Sequence, residues 1–140
     1  MVTYALDSNI ISYLLRDNED VKQCYRQELQ TGNDVLIPPM VRYEVKRWLL
    51  LKNATAKMAL FEQLSEFSQP DIDKTVWDKA ISLYVASRRN GKPIEDFDLL
   101  IAAYCLVNDF ILVTNNIRHF EGISGLRLTN WKDQPSDLPI

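Results

Sequence analysis

The stretch YALDSNIISYLL, from Tyr4 to Leu15, sets the reading of the chain. Its apolar run breaks at Asp7, then resumes with Ile10, Ile11, Leu14 and Leu15. The residues up to Leu6 read as a short buried strand. Ile10/Leu14 and Ile11/Leu15 then pair at helical spacing on one face, with Ser8 or Asn9 as the cap and Asp17-Asn18 as the stop. An acid between two core-forming segments is costly if it is buried without a partner. Either Asp7 only starts a helix, or something cationic sits beside it.

Working outward, the same strand–helix alternation continues. Val21, Cys24, Tyr25 and Leu29 share one side of a second helix that ends at Thr31-Gly32-Asn33. Val35 to Ile37 reads as a strand. Pro38-Pro39 closes it and opens a helix over Met40 to Lys52. Ala54 to Phe67 is predicted helical, with Ala56, Leu60, Leu64 and Phe67 in register. Asp73 to Arg89 is another helix, with Val76, Trp77, Ala80, Leu83 and Tyr84 on its apolar side and Asn90-Gly91 as its end. Asp98 to Val107 reads as a short apolar helix. Phe110 to Val113 is a continuous apolar strand of the kind buried on both faces, and Leu126 to Thr129 is a last small strand. Strands separated by helices imply an α/β fold, a mostly parallel central sheet flanked by helices. One domain over residues 1–132 is expected, followed by a frayed tail over 133–140.

Composition narrows the chemistry. The 140 residues are 46% hydrophobic and 25% charged, with a net charge of −3, enough for one packed core. Such a charge argues against a uniformly basic nucleic-acid-binding surface, but not against local basic patches. The two cysteines, Cys24 and Cys105, are expected to be buried thiols. His119 is the only histidine, which removes zinc sites built on Cys and His and the usual Ser-His-Asp triad. No apolar run approaches the roughly 20 residues of a membrane span, and Met1 leads into a strand without a basic leader. A cytoplasmic protein is expected.

In such folds ligands sit beyond the carboxyl ends of the strands. Asp7 follows the first strand. Asn116, in LVTNN, follows the strand ending at Val113. Glu44 lies in the first turns of the helix after Ile37, and Asp98 opens the helix before Phe110. Glu44 has apolar helical neighbours in Val41, Val45 and Trp48, so it borders the core-facing stripe, where a carboxylate needs a partner. Asp98 shares a face with Ile101, Ala102 and Cys105. Each residue alone has a bland reading: a cap or turn for Asp7, Asp98 and Asn116, a buried ion pair for Glu44. Together, converging carboxylates must take up protons or bind a cation, and hard oxygen ligands suit Mg²⁺ or Mn²⁺. There is no Gly-rich phosphate loop of Walker type, so phosphodiester hydrolysis fits better than nucleotide hydrolysis.

The segments LDSNIISYLL, PPMVRYEVKRWL, GKPIEDFDLLIAAYCL and FILVTNNIRHFEGISGLRLTNW resemble the PIN-domain family, and more narrowly the VapC-type toxins of bacterial toxin–antitoxin pairs. The resemblance covers nearly the whole chain in order. It implies a PIN-like three-layer sandwich and a small endoribonuclease dependent on Mg²⁺ or Mn²⁺. On this basis Asp7, Glu44 and Asp98 match the family's acidic metal-site positions. Asn116 matches a fourth position that is Asp in many relatives, so here it would bind water held by the ion. Thr114 matches a supporting hydroxyl, Ser8 stands where Thr is frequent, and Asp96 is a lower-ranked extra carboxylate. The resemblance also implies a homodimer and a cognate antitoxin, whose disordered tail would lie across the groove and offer an Arg to the acids.

Arg42 and Lys46 flank Glu44 with Arg47 adjacent, Arg88, Arg89 and Lys92 precede the loop to Asp98, and Arg118 and His119 follow Asn116. They are candidates for RNA phosphates or ordinary solvated charges. Tyr13 and Tyr43 are candidates for base stacking or for packing. Two rival functions remain: a metal-dependent DNA nuclease, and a catalytically silent module that receives a basic peptide. A receiver domain lacks its lysine here, since none stands directly after the strand ending at Val113 to complete that site.

Overall fold

A computed structural model of the chain describes residues 1–64 and 69–132. Phe67 and the tail over 133–140 lie outside the described residues. The elements in chain order are β1 (Thr3–Leu6), α1 (Ser8–Leu15), α2 (Glu19–Gln30), β2 (Asp34–Leu36), α3 (Pro39–Leu51), α4 (Thr55–Leu64), α5 (Lys74–Arg89), α6 (Asp96–Asn108), β3 (Ile111–Val113), α7 (Ile117–Phe120) and β4 (Leu128–Thr129).

The four strands form one sheet in the order β2-β1-β3-β4, and every pairing is parallel. Tyr4 stands opposite Val35 on one side and Ile111 on the other, which fixes the register of the centre. Parallel neighbours require helical crossovers, and the helices between the strands supply them and flank the sheet. From β1 the chain first moves outward to β2, then returns past β1 to β3. The connections leaving β1 and β3 therefore diverge, and the crevice between them is the switch point where such sheets bind ligands.

The core lies around the two central strands. Ala5, Leu6, Leu112 and Val113 are buried, as are Ile10 and Ile11 of α1 and Val41, Val45 and Leu49 of α3. In α6, Leu99 and the run Ile101 to Cys105 are buried. A helix apolar on nearly every side is a central one, and its small Ala102 and Ala103 allow close approach. Cys24 and Cys105 are both thiols, although only Cys105 is buried.

Three sequence expectations need correction. Phe61, not Leu60, anchors α4: Phe61 is fully buried while Ala56 and Leu60 are exposed. The aromatic ring offers more area to bury, so the helix turns to suit it. On α5, Val76 and Ala80 are buried but Trp77 and Tyr84 are exposed together with Ile81. The helix carries more apolar residues than one buried face can hold. Helix α6 starts at Asp96, two residues before the expected Asp98. Among the described residues no helix is long and apolar enough to cross a membrane.

Candidate active site

The first acid is fixed by the junction that defines the fold. One residue, Asp7, separates β1 from α1. Its backbone N–H donates to the Val113 carbonyl at 2.9 Å, extending the ladder between β1 and β3. It then turns extended and becomes the N-cap of α1, so Ser8 and Asn9 are not the cap. Its Oδ1 accepts from the Ser8 amide at 2.8 Å. Its Oδ2 accepts from the Thr114 hydroxyl at 2.8 Å and from Asn9 Nδ2 at 3.2 Å. Thr114 is completely buried, and its oxygen also accepts from the Asn116 amide at 3.0 Å. Asn9 in turn accepts from the Asn115 amide at 2.9 Å. These bonds tie the ends of β1 and β3 together.

Asp7 itself is only 5% exposed. Burial pushes its carboxyl up to about 6, against the hydrogen bonds from Thr114 and Ser8; the negative charges of Asp98 and Glu44 push in the same direction as burial. The cap and the shared acidic site are therefore one feature.

Helices bring the other two carboxylates. Asp98 is the third residue of α6, with Glu95 rather than Asp98 at the cap position. Because α6 precedes a parallel strand, its first turn lies at the carboxyl edge of the sheet, and its N-terminal dipole favours an acid there. Asp98 Oδ2 meets His119 Nδ1 at 3.2 Å. Burial raises the Asp98 carboxyl above its ordinary value, His119 opposes this, and Glu95 and Glu44 add to it. Glu44 is half-buried on α3, beside buried Val41 and Val45. Asn116 is exposed at the start of α7, a short helix that the sequence reading did not anticipate.

Asp7, Ser8, Glu44, Asp98 and Asn116 all line one cleft of about 270 Å³. Among the described residues no group of three or more His, Cys, Asp or Glu stands close enough together to hold a metal ion jointly. The donor chemistry nonetheless fits a hard cation. Four carboxylates, those of Asp7, Glu44, Glu95 and Asp98, line one space, and two of them, Asp98 and Glu44, raise the pKa of Asp7. Mg²⁺ commonly takes only one or two protein carboxylates and keeps several waters, which suits acids spaced this way.

The PIN domain pattern matches residues 4–126. A relative from Shigella flexneri, named tRNA(fMet)-specific endonuclease VapC, is 44% identical over 136 residues, covering 94% of this chain and 99% of that one. The chain belongs to the PIN-domain family. Its relatives are of the VapC type: Ribonuclease VapC2 from Rickettsia felis is 29% identical over 132 residues, covering 91% of this chain and 97% of that one. A solved structure of VapBC2 from Rickettsia felis, bound to a promoter DNA fragment, superposes with a TM-score of 0.81 at 26% identity, over 94% of this chain and 100% of that one. A DNA-bound VapBC from Salmonella typhimurium shares the fold with a TM-score of 0.78 at 22% identity, over 94% and 100% of the two chains.

Not every anticipated residue of this PIN domain reaches the cleft. Asp96 lines a separate hollow with Trp77, Ile81, Tyr84 and Leu100. Two helical positions are about 200° of rotation, so Asp96 and Asp98 face nearly opposite ways. Arg42 and Lys46 both turn to Glu62 of α4, at 3.6 and 3.0 Å, and leave the cleft without them. Arg118 is exposed and outside the cleft lining.

The cation that does line the cleft is Arg16, with its guanidinium over the Tyr13 ring at 5.1 Å. Ser12, Glu95 and Phe97 join it. The signal for Arg16 was present: Ser8, Ser12 and Arg16 recur at helical spacing and form the polar stripe of α1 opposite its apolar face.

Proposed function

We propose that this PIN domain is a divalent-metal-dependent endoribonuclease, the toxin of a toxin–antitoxin pair. The observation that carries the reading is the convergence of Asp7, Glu44 and Asp98 from three elements on one cleft at the switch point of the sheet. The names of the relatives from Shigella flexneri and Rickettsia felis, endonuclease and ribonuclease, support it.

Asp7, Glu44 and Asp98 would share a hydrated Mg²⁺ or Mn²⁺, with no more than two of them touching the ion directly and its waters reaching the rest. When bound, that ion would supply positive charge beside the phosphate and lower the pKa of a water, so that the water can lose a proton and attack as hydroxide. The chain's own residues set the geometry. Thr114, Ser8 and Asn9 hold the Asp7 carboxylate in one orientation. Above about pH 6 Asp7 is ionised and available. His119 fixes one oxygen of Asp98. Asn116, at the mouth of the cleft, is placed to orient water through its amide. Arg16, in the same lining, would receive a neighbouring phosphate of the strand.

A protein antitoxin with a basic segment is the proposed partner, supported by the VapBC complexes among the similar structures. The cleft continues past Ser12 and Arg16 into a groove of about 110 Å³ walled by Leu15, Val45, Trp48 and Leu49, which suits an apolar stretch of such a segment. The exposed Trp77, Ile81 and Tyr84 of α5 are the face that a homodimer would cover.

Cleavage of an RNA pool and of initiator tRNA, with Mg²⁺, Mn²⁺ or EDTA, tests the reading. The expected result is cutting that needs metal, spares a matched DNA strand, and falls at least about 100-fold in Asp98→Asn. Cutting that survives EDTA or the substitution would sink the assignment of the site.

A further inference from the structure

A second feature borders the cleft and has no part in holding a metal. Tyr43 of α3 and Phe97 of α6 lie nearly parallel, with ring centroids 6.3 Å apart and planes 11° from one another. The Arg47 guanidinium approaches both, 5.0 Å from the Tyr43 centroid and 5.6 Å from the Phe97 centroid. Tyr43 is 58% exposed, a poor use of an aromatic ring if packing were its only role. Each ring stands next in sequence to an acid of the cleft: Tyr43 precedes Glu44 and Phe97 precedes Asp98. Phe97 also lines the cleft itself.

We propose that Tyr43, Phe97 and Arg47 form a stacking platform for an unpaired nucleobase of the RNA next to the scissile phosphate. The inference rests on the ribonuclease reading and deepens it. Three observations favour a nucleobase as the occupant. The platform is continuous with the cleft through Phe97. Its exposed members are the Tyr43 ring and the planar Arg47 guanidinium, flat groups on which any base can stack. Its one charge is positive and planar, so it stacks on a base and attracts an anionic strand, in contrast to the acids beside it. The acids and the platform then divide the nucleotide between them, phosphate at one and base at the other.

Two measurements test this. The first is steady-state cleavage of an RNA that the wild type cuts. Tyr43→Ala is expected to raise KM about tenfold while kcat changes little, because stacking binds the ground state and the transition state alike. Tyr43→Trp restores KM, and Arg47→Lys raises it although the charge is kept. The second uses a single-stranded oligoribonucleotide carrying 2-aminopurine, bound to Asp98→Asn so that it is not consumed. Its fluorescence is expected to be quenched, and less so when Tyr43→Ala is added. Cleavage by the wild type, with KM and quenching both indifferent to Tyr43→Ala, would overturn the platform, including the case in which the substitution weakens only antitoxin binding. No cleavage by the wild type, with quenching that still depends on Tyr43, would overturn the ribonuclease reading and leave a single-strand-binding platform standing.

Discussion

The two walls of the cleft are built differently. On the sheet side, Asp7 is buried and accepts bonds from Ser8, Asn9 and Thr114, and its backbone is locked to β3. On the helix side, Glu44 and Asp98 are only half-buried, and the partner of Asp98 is the exposed His119. One wall is a rigid reference point held at an electrostatic disadvantage. The other consists of side chains with room to adjust when a cation or a strand arrives. Rigid support on one side and adaptable ligands on the other is a reasonable arrangement for a site that must admit a polymer.

The sharpest way to break the comparison is at Asp7. Asp7→Asn keeps the shape of the carboxylate and removes its charge, so cleavage is expected to fall at least about 100-fold. Its stability should move the other way. A carboxyl raised to about 6 in the folded chain holds its proton more tightly there than when unfolded. Its stabilising contribution is therefore complete below the ordinary value of 3.8 and is lost as pH rises through about 6. Thermal melts of the metal-free protein from pH 4 to pH 8 should show the wild type losing stability relative to Asp7→Asn across that window, by about 3 kcal/mol at most. Parallel curves for the two proteins would mean that Asp7 is not charged at a cost.

A smaller effect is expected one layer behind. Thr114→Val removes the donor to Asp7 and the acceptor for the Asn116 amide inside a fully buried site. A loss of about 1–3 kcal/mol in urea unfolding is expected. The acid limb of the pH–rate profile should also move to higher pH, because a bond that lowers the Asp7 carboxyl is gone. The smallest effect belongs to the helix side. Arg42→Ala and Lys46→Ala break half-exposed, solvent-screened pairs with Glu62, so each should change stability by about 0–1 kcal/mol and leave KM for RNA within about twofold. A large rise in KM for either would bring these cations back to the substrate.

The same contrast explains what was legible in the sequence. The β1–Asp7–α1 junction could be read because an acid interrupts an otherwise apolar pattern. Glu44 could be read because it borders a stripe of Val41, Val45 and Trp48. Asp96 and Asp98 are harder to rank by composition; helical rotation separates them, and the true start of α6 had to be known first. The pairing of Arg42 and Lys46 with Glu62 could not be foreseen, because Glu62 comes from α4 and a pairing between helices leaves no mark in local spacing. The order β2-β1-β3-β4 was beyond reach for a similar reason. Strands of three or four residues carry too little pattern to say which neighbours which. The α7 turn, four residues long, is shorter than any helical period can reveal.

The single residue between β1 and α1 leaves that connection no slack. Loops elsewhere can absorb an insertion by bulging into solvent, and their lengths are free to drift. Here one added residue would rotate α1 by about 100° against the sheet. Ser8, Ser12 and Arg16 would swing out of the cleft together, and Ile10 and Ile11 would leave the core with them. Folding and chemistry are thus tied to one count of residues, so any change of length at this position is visible to selection twice.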